Sequence, residues 1–540
     1  MCFTRSNRIS TRCAPMSERR GEPMRLLTTR LTRGTMGGWL VICLALAFAG
    51  FGTTVAAPFV DHGGPELASD GPVTTPIRHE PFFRGERELF GYNPRYPVGV
   101  VSFGPDNEPY ITDRYRLFTL NEQGKWIDLA LTKAVQARHP DLIGVVYFID
   151  PYLSFDRDGD AYALIQTRRS TGHCYGLLRS TDRCRSWTFH ELPAYAYRFE
   201  HNEAHNQLPG PPPMVEGRGG EVILFTVAKG PNGRIDKPKR TLVAKVIPPV
   251  ARKGRHWLTP AHAGCGNVSV TFDGKTHIVW MSIQPLSFHE EEANRLPTEK
   301  QGPYIPYARR FASDGLSSLA PCYAATYDHQ TGALSAHTII GFTRRDGHNG
   351  PVISVDSRGY LHAVIGAHHD NFIYTRSLEP NSTTGGWTEP VMFGTPKPEP
   401  RGAGSYTYTA LVCDADDTLH LASRWGGAED GKWRLVYQRK RRGEPWEPHR
   451  DLVVAFRRGY SLFDQKISLD RRGRLWINYL YFIDGMNEEE VEAYRRKWPD
   501  DPIKTKDGRV TGQRRHDPCL LVSDDKGDTW RLAVTEDLVP

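Results

Sequence analysis

The sequence of 540 residues predicts an all-β fold, a seven-bladed β-propeller of four-stranded antiparallel blades with short helical insertions on one face. The main observation is a repeated unit, in which an apolar strand, a turn rich in Asp and Gly, and a second apolar strand follow one another. The starts of seven such units are separated by 52, 60, 57, 83, 57 and 57 residues, a spacing typical of propeller blades. The units begin at Phe103, Phe155, Val215, Phe272, Val355, Val412 and Leu469.

The composition is also that of a turn-rich β protein. The chain has 51 Gly, 40 Pro, 12 Trp, 23 Tyr and 23 Phe, which favours turns and strands over helices. Seven unrelated hairpins in sandwich domains are the alternative, because turns with Asp and Gly are common. The nearly constant step between the units argues against that alternative.

Residues 1–57 are predicted to be a basic leader and signal peptide. Basic residues extend to Arg33, and an uncharged run follows from Gly34 to Val60. Small residues at 54–57 offer a cleavage site, so the mature chain would begin near Pro58. The protein is therefore expected to be secreted or periplasmic, and free of the membrane after cleavage. An uncleaved membrane anchor is the alternative, because the uncharged run is long.

Residues 58–540 are predicted to form a single propeller domain with insertions at about 284–321 and about 484–518. Each insertion contains a short predicted helix, capped by Ser287 or Asn487. In a propeller the A–B and C–D turns lie on one face, and the B–C loops and blade connectors lie on the other. Both insertions follow B strands, so they are expected to form a rim around a binding site on the second face.

Charge and cysteine content limit the expected partners. The net charge of +7 comes from scattered Lys and Arg, which argues against nucleic acid and leaves an anionic ligand open. Beyond residue 57 the chain has six widely spaced Cys, too few for a disulfide scaffold. We expect a monomer that requires no cofactor.

Two segments match or approach the Asp-box pattern S-x-D-x-G-x-T-W. The segment from Ser523 to Trp530 matches at every position, whereas the segment from Ser180 to Trp187 has Cys184 in place of the glycine. In such a box the Asp side chain closes a turn by accepting hydrogen bonds from backbone N–H groups, and the Trp packs between blades. Both boxes are therefore predicted to be structural.

Two hairpins in neighbouring units carry residues suited to acid–base chemistry. His348 and His368 are equidistant from residue 358 in the turn of one hairpin, and Tyr408 and Arg424 are equidistant from residue 416 in the next. The members of each pair are therefore expected to face each other at the end of the hairpin away from its turn. Acid–base groups beside a fixed cation suit attack on an anionic sugar. Structural roles in hydrogen bonding, packing or ion pairing are the alternative for all four residues.

Five short segments around these hairpins carry a family resemblance. They are Gly347-His-Asn-Gly-Pro, Val355-Asp-Ser-Arg-Gly-Tyr-Leu-His, Tyr374-Thr-Arg-Ser, Tyr406-Thr-Tyr and Ala422-Ser-Arg. Together they resemble the BNR-repeat (Asp-box) seven-bladed propeller family, and in particular the ulvan-lyase-type polysaccharide lyases.

The resemblance implies a polysaccharide lyase that cleaves a uronate-containing anionic glycan by β-elimination, so an anionic polysaccharide is the expected partner. Arg424 with a histidine would neutralise the uronate carboxylate, which makes the C5 proton more acidic. Tyr408 would act as base, acid or both, with His348 as a second proton carrier. Because His368 and His369 are adjacent, either could supply the matching imidazole. The implied catalytic residues are His348, His368, Tyr408 and Arg424, and the implied substrate-binding residues are Asn349 and His369.

Two other functions remain open at this stage. A sialidase-like or other glycoside hydrolase would share the Asp boxes but would need paired carboxylates across the channel. A non-catalytic propeller that binds a glycan or a protein would use the same cluster only to hold its ligand.

Two His-x-x-Cys motifs are candidates for a structural zinc site. His262 and Cys265 form the first motif, and His516 and Cys519 form the second. Together they would give the two imidazoles and two thiolates of a tetrahedral zinc site. Chance occurrence of such short motifs is the alternative.

Overall fold

The structure is a computed structural model, in which the described residues all belong to one compact unit within Val55–Pro540. The predicted leader lies outside the described residues, as does the helix predicted after Ser287. None of the helices in the described part of the chain has the length and apolar character needed to cross a membrane. The structure describes residues 76–78, 101–112, 115–148, 153–155, 159–192, 222–227, 240–247, 250–257, 269–281, 319–328, 330–331, 333, 335–344, 350–366, 368–394, 406–458, 462–481, 487–497, 499, 505–506, 509–510 and 517–540.

Strands make up most of the described residues. In the first half of the chain they are β1 (Ile77–Arg78), β2 (Val101–Phe103), β3 (Pro109–Thr112), β4 (Leu117–Leu120), β5 (Trp126–Asp128), β6 (Tyr147–Phe148), β7 (Ser154–Phe155), β8 (Ala161–Arg169), β9 (Gly172–Ser180), β10 (Thr188–Leu192), β11 (Val222–Val227), β12 (Arg240–Ile247) and β13 (Val250–Trp257). Next come β14 (Ser269–Phe272), β15 (Lys275–Met281), β16 (Leu319–Asp328), β17 (Thr338–Arg344), β18 (Val352–Val355), β19 (Leu361–Ile365), β20 (His368–Asp370), β21 (Phe372–Arg376) and β22 (Val391–Phe393). The last are β23 (Tyr406–Cys413), β24 (Leu419–Trp425), β25 (Lys432–Lys440), β26 (Arg450–Arg458), β27 (Leu462–Leu469), β28 (Leu475–Tyr481), β29 (Thr505–Lys506), β30 (Arg509–Val510), β31 (Asp517–Ser523) and β32 (Arg531–Leu532).

The strands form successive antiparallel sheets in chain order. Sheet I contains β2 to β5, sheet II β6 to β10, sheet III β11 to β13, and sheet IV β14 to β17. Sheet V contains β18, β19, β21 and β22, and sheet VII contains β27, β28, β31 and β32. Sheet VI contains β23 to β26, with β20 added at one edge and β1 added in parallel at the other. The prediction of an all-β fold built of antiparallel, mostly four-stranded sheets is confirmed, while the number of blades stays a prediction.

The last sheet packs against the first, as a closed propeller requires. The rings of Phe103 in sheet I and Trp476 in sheet VII lie 5.4 Å apart between their centroids. Arg471 in sheet VII donates hydrogen bonds to the carbonyl oxygens of Phe103, at 2.9 Å, and Gly104, at 3.1 Å. Its backbone N–H also donates to the side chain of Asn107, at 2.7 Å. Burial lowers the pKa of Arg471 to about 10, so this guanidinium remains charged at neutral pH.

Replacing Arg471 with methionine is expected to destabilise the protein by about 2 kcal/mol, because two carbonyl groups lose a charged donor. Arg472→Met is the matched control, since Arg472 is exposed in the same turn. The free energy of unfolding in urea measures both changes. Equal free energies of unfolding for the two variants would contradict a role for Arg471 in joining the first and last sheets.

In sheets V, VI and VII, the turns that join the first and second strands are closed by aspartate side chains. Asp356 accepts hydrogen bonds from the backbone N–H groups of Arg358, at 3.0 Å, and Tyr360, at 2.8 Å. Asp414 and Asp470 accept the same pair of bonds, from the residues two and four positions further along. These turns fix where each inner strand ends, and they place the opposite ends of the strands at the other face.

The two Asp boxes have the hydrogen bonds that their sequence predicts. Asp525 accepts from the backbone N–H of Thr529 at 2.8 Å, and the hydroxyl of Ser523 accepts from the N–H of Gly527 at 2.8 Å. The box that begins at Ser180 repeats both bonds with Asp182, Ser186 and Cys184. Their tryptophans, Trp530 and Trp187, are buried. Both boxes thus close turns and fill the core.

Two α-helices lie in the described residues, α1 (Leu131–Arg138) and α2 (Glu488–Lys497). The second confirms the helix predicted after Asn487, whose side chain accepts from the N–H of Glu490 at 2.9 Å. The carboxylate of Glu490 accepts from the N–H of Asn487 in return, which completes a capping box. Helix α1, which buries Leu131 and Val135, was not predicted from the sequence.

Candidate functional site

The candidate site lies at the ends of the inner strands away from their aspartate turns. It consists of β20, the first residues of β23 and β27, and the last residues of β24, a group that we call the inner-strand cluster. Strands β23 and β27 contact each other directly, so the cluster spans the boundary between sheets VI and VII. Three of the predicted catalytic residues, His368, Tyr408 and Arg424, belong to it.

A β-bulge in β23 changes the predicted pairing of Tyr408. Thr407 pairs with Arg424 and Ala410 pairs with Ala422, so β23 has one more residue than β24 between these pairs. Arg424 therefore stands opposite Thr407, and the predicted register of Tyr408 opposite Arg424 is wrong by one residue. The bulge also puts Tyr408 at a φ of 60°, a left-handed conformation that is uncommon for any residue except glycine.

Tyr408 and Arg424 nevertheless lie in contact. The guanidinium carbon of Arg424 lies 4.6 Å from the ring centroid of Tyr408 and 4.3 Å from that of Trp433. Nη1 of Arg424 donates to the carbonyl oxygen of Leu462 at 3.1 Å. Arg424 has 0% of its surface exposed, and Tyr408 has 4%. In this structure the guanidinium therefore supports the Tyr408 ring from within the protein.

Strand β27 has the same bulge as β23. Phe463 pairs with Leu480 and Lys466 pairs with Asn478, so Asp464 and the residue after it lie in the bulge. Asp464 precedes the turn residue Asp470 by six positions, as Tyr408 precedes Asp414. Asp464 therefore has the same register position in sheet VII as Tyr408 has in sheet VI. Asp464 was not among the site residues predicted from the sequence, although its six-residue offset from the turn could have identified it.

His368 does not continue the hairpin in which it was predicted. The first pairs of that hairpin agree with the prediction, since Val352 pairs with Val364 about a centre at residue 358. However, β19 ends at Ile365, and His368 lies in β20, where it pairs with Thr407 of sheet VI. The physical reason is that β23 has an edge whose N–H and C=O groups need partners, and β20 supplies them.

The remaining predicted site residues are only partly located. His369 lies in β20 between His368 and Asp370, where the strand pairing is irregular, and Asp370 pairs with Tyr406. His348 and Asn349 lie outside the described residues, so a meeting of the two predicted imidazoles is not tested. The proposed roles of all these residues stay predictions.

The zinc prediction is likewise untested. His262, Cys265 and His516 lie outside the described residues. Cys519 is buried in β31 opposite Tyr479. Within the described ranges, no group of three or more His, Cys, Asp and Glu side chains is arranged to hold a metal ion.

A buried histidine supports the base of the cluster. Nδ1 of His449 lies 2.5 Å from the hydroxyl oxygen of Tyr406, the residue that pairs with Asp370. Burial, with a smaller contribution from Arg434, lowers the pKa of His449 to about 4. The imidazole is therefore neutral at pH 7 and accepts the hydrogen bond of the phenol.

A second kind of buried histidine belongs to the turns and not to the cluster. His420 lies between the carboxylate of Asp414, 3.0 Å from Nε2, and the hydroxyl of Tyr437, 2.6 Å from Nδ1. Burial lowers the pKa of His420 and raises that of Tyr437. His362 makes the equivalent contact with Tyr374 in sheet V, at 2.8 Å. These chains of hydrogen bonds hold successive strands of one sheet together.

Comparisons with known proteins identify part of the chain. No curated protein sequence matches it. Among solved structures, it is similar to the Penicillium chrysogenum α-L-arabinanase in complex with arabinobiose, with 10% identity and a TM-score of 0.33 over 62% of this chain and 90% of that one. It is also similar to a mutant of AofleA from Arthrobotrys oligospora, with 8% identity and a TM-score of 0.30 over 69% and 83%. A third similarity is to a mutant of the Synechocystis apocarotenoid oxygenase, with 13% identity and a TM-score of 0.33 over 62% and 67%.

At these identities and TM-scores, the structural similarities support no conclusion about activity, substrate or blade number. The family comparison is more informative, because residues 317–539 match the sequence model of a BNR repeat-containing family member. Apart from β1, this region holds sheets V to VII and therefore the whole inner-strand cluster. The match confirms the prediction of BNR repeats for residues 317–539 of this chain.

Proposed function

We propose that the protein is a carbohydrate-active enzyme, a glycoside hydrolase that cleaves a polysaccharide at the inner-strand cluster. The observation that carries the proposal is the pair of equivalent bulges in β23 and β27. Bulges recur next to active sites, where they redirect side chains. These two put Tyr408 and Asp464 at equivalent positions on neighbouring inner strands, and β20 adds Asp370 on the other side of β23.

Two aspartates on either side of a tyrosine suit hydrolysis of a glycosidic bond. Most glycosidases use one carboxylic acid to protonate the leaving oxygen, and a second carboxylate as base or nucleophile. We assign these two roles to Asp370 and Asp464. Tyr408 would donate a hydrogen bond to the substrate between them.

The position of Arg424 favours hydrolysis over elimination. In a lyase, Arg424 would neutralise the uronate carboxylate, which requires direct contact with the substrate. In the structure its guanidinium carbon lies near the rings of both Tyr408 and Trp433, and none of its surface is exposed. We therefore assign Arg424 the role of supporting Tyr408.

Elimination on a uronate-containing anionic glycan is the second candidate function. The contact between the Tyr408 ring and a guanidinium favours it, since a nearby cation stabilises a phenolate. The backbone pairing of His368 with Thr407 also favours it, because Thr407 in turn pairs with Arg424. In this second case Tyr408 and His368 would carry the protons.

Incubation of the purified protein with a panel of neutral and anionic polysaccharides tests both functions. We expect new reducing ends without the ultraviolet absorbance of unsaturated uronates. Asp370→Asn and Asp464→Asn should each lower the rate by about 100-fold or more, as expected for loss of an acid–base group. Asp416→Asn is the control, because Asp416 is exposed in the turn at the opposite end of sheet VI and pairs with Lys526 there.

Three results would contradict the hydrolase. Growth of the unsaturated-uronate absorbance would favour the lyase. Retention of a glycan on the protein without cleavage would favour a binding propeller. Equal rates for Asp464→Asn and Asp416→Asn would show that the β27 bulge takes no part in the reaction.

A further inference from the structure

We infer that Gln465 is a positioning residue, which holds Tyr408 in its bulged conformation from the neighbouring sheet. The inference rests on the proposed function to the extent that Tyr408 is taken to touch the substrate. Gln465 itself lies in β27, whereas Tyr408 lies in β23, so the contact crosses the boundary between sheets VI and VII.

The bulge in β23 needs support from outside its own strand. A non-glycine residue at a φ of 60° persists only where the surrounding structure holds it, and such residues cluster at functional sites. The side chains on either side of Tyr408 do not provide this support. In the described part of the chain, no hydrogen-bond partner is found for the buried hydroxyls of Thr407 and Thr409.

The side-chain amide of Gln465 provides the support. Its Nε2 donates to the carbonyl oxygen of Tyr408 and lies 3.3 Å from the carbonyl oxygen of Thr407. A bulge interrupts the regular hydrogen bonds of a strand, and a donor from the neighbouring sheet therefore helps to hold the bulged main chain. Gln465 is 1% exposed, which leaves its amide little freedom to move.

The two bulges therefore depend on each other. The bulge of β27 brings Gln465 to the boundary, and its amide binds the carbonyl groups of Thr407 and Tyr408 at the bulge of β23. Arg424 contacts the ring of Tyr408, and Gln465 binds its main chain. Together they fix the phenol in position and orientation, which a reacting group needs before the substrate arrives.

The chemistry of the amide makes the role testable by substitution. Leucine at position 465 has similar bulk but no donor, so both carbonyl groups would lose their hydrogen bond from this position. Glutamate has nearly the same shape, but its ionised carboxylate would face two carbonyl oxygens. Only its protonated form can donate one hydrogen bond. Gln465→Glu is therefore expected to position Tyr408 better at low pH than at high pH.

Two readouts measure the effect, steady-state kinetics on the cleaved glycan and the ¹⁹F resonance of 3-fluorotyrosine incorporated at position 408. Gln465→Leu should lower kcat by roughly 100-fold, as for other misplaced catalytic groups, with KM changed by less than about twofold. The ¹⁹F resonance should shift or broaden in the same variant. For Gln465→Glu, the rate relative to wild type should rise as the pH falls.

Gln438→Leu is the matched control. Gln438 is also a buried amide, 2% exposed, and its Nε2 donates to the carbonyl oxygen of Glu447 at 3.2 Å. It lies in β25 of sheet VI, the sheet that contains Tyr408, and is not part of the inner-strand cluster. We expect this variant to keep the kcat and the ¹⁹F resonance of the wild type.

Opposite results would overturn the inference. If Gln465→Leu keeps the kcat and the resonance of the control, Gln465 does not position Tyr408. If Gln465→Leu fails to fold, Gln465→Glu decides, and a rate ratio independent of pH would count against the role. If the wild type cleaves no glycan, the proposed function fails, but a resonance shift confined to the position-465 variants would still support the positioning role.

Discussion

Replacing Gly527 with alanine is expected to lower the free energy of unfolding by about 3 kcal/mol or more, because the new methyl group has no space. Gly527 is the glycine of the second Asp box and has a φ of +86°. A Cβ atom there would fall on the hydroxyl of Tyr437 and lie 2.5 Å from its Cζ. Tyr437 cannot easily move away, since it is fully buried and hydrogen-bonded to His420.

Gly473→Ala separates this clash from the cost of the backbone conformation. Gly473 lies in the same sheet at a φ of +78°, but no atom lies within 4 Å of a Cβ built there. Its replacement should cost only about 1 kcal/mol, the usual penalty for a left-handed non-glycine residue. Urea unfolding of both variants gives the difference between their losses in free energy of unfolding. If it is below about 0.5 kcal/mol, the Tyr437 contact does not exclude a side chain at Gly527.

The first Asp box supports the same argument. It has Cys184 at the glycine position, with a φ of 62° and a fully buried side chain. Its hydrogen bonds match those of the second box, so the box itself accepts a side chain at this position. The requirement for Gly527 therefore comes from the neighbouring sheet, which no local sequence pattern records.

Local patterns account for the parts of the fold that the sequence predicted. The turn aspartates, the Asp boxes and the cap of α2 all depend on hydrogen bonds between residues at most four positions apart. The regular step between the Asp/Gly turns also predicted the succession of sheets along the chain. Each sheet forms largely from consecutive strands, so order along the chain becomes order in space.

The candidate site was harder to predict because it depends on contacts between sheets. The equidistance of Tyr408 and Arg424 from their turn assumed a regular ladder, and one extra residue in β23 shifted the pairing. The transfer of His368 to sheet VI likewise depends on the edge of β23, which exists only in the folded protein. Sequence spacing therefore predicted that Tyr408 and Arg424 lie near each other but could not give their register.

Lowering the pH from 6.5 to 4.5 is expected to destabilise the protein through His449, by about 2 to 3 kcal/mol for this residue alone. Burial, with a smaller contribution from Arg434, lowers its pKa from 6.5 to about 4 in the folded state. Between these values the unfolded chain binds a proton that the folded chain does not, so stability falls as the pH falls. His362 and His420, whose pKa values burial also lowers, act in the same direction.

The aspartates of the turns become protonated only in a lower pH range. The nearby imidazole of His362, whose Nε2 lies 3.6 Å away, and the hydrogen bonds from Tyr360 and Arg358 outweigh burial and hold the pKa of Asp356 at about 2. The stability that this carboxylate contributes is therefore lost only as the pH falls from 3.8 towards 2. Measurements between pH 7 and pH 4.5 consequently report mainly on the buried histidines.

His449→Gln isolates the contribution of one imidazole, because glutamine can still accept a hydrogen bond from Tyr406 but does not titrate. Free energies of unfolding in urea at several pH values between 7 and 4.5 should fall less steeply for this variant than for the wild type. Parallel curves would mean that the folded protein accommodates the imidazolium. The carboxylate of Asp451, 3.8 Å from Nε2, is the group placed to do so. The pH dependence of the wild-type free energy of unfolding thus decides whether burial or the Asp451 carboxylate controls the pKa of His449.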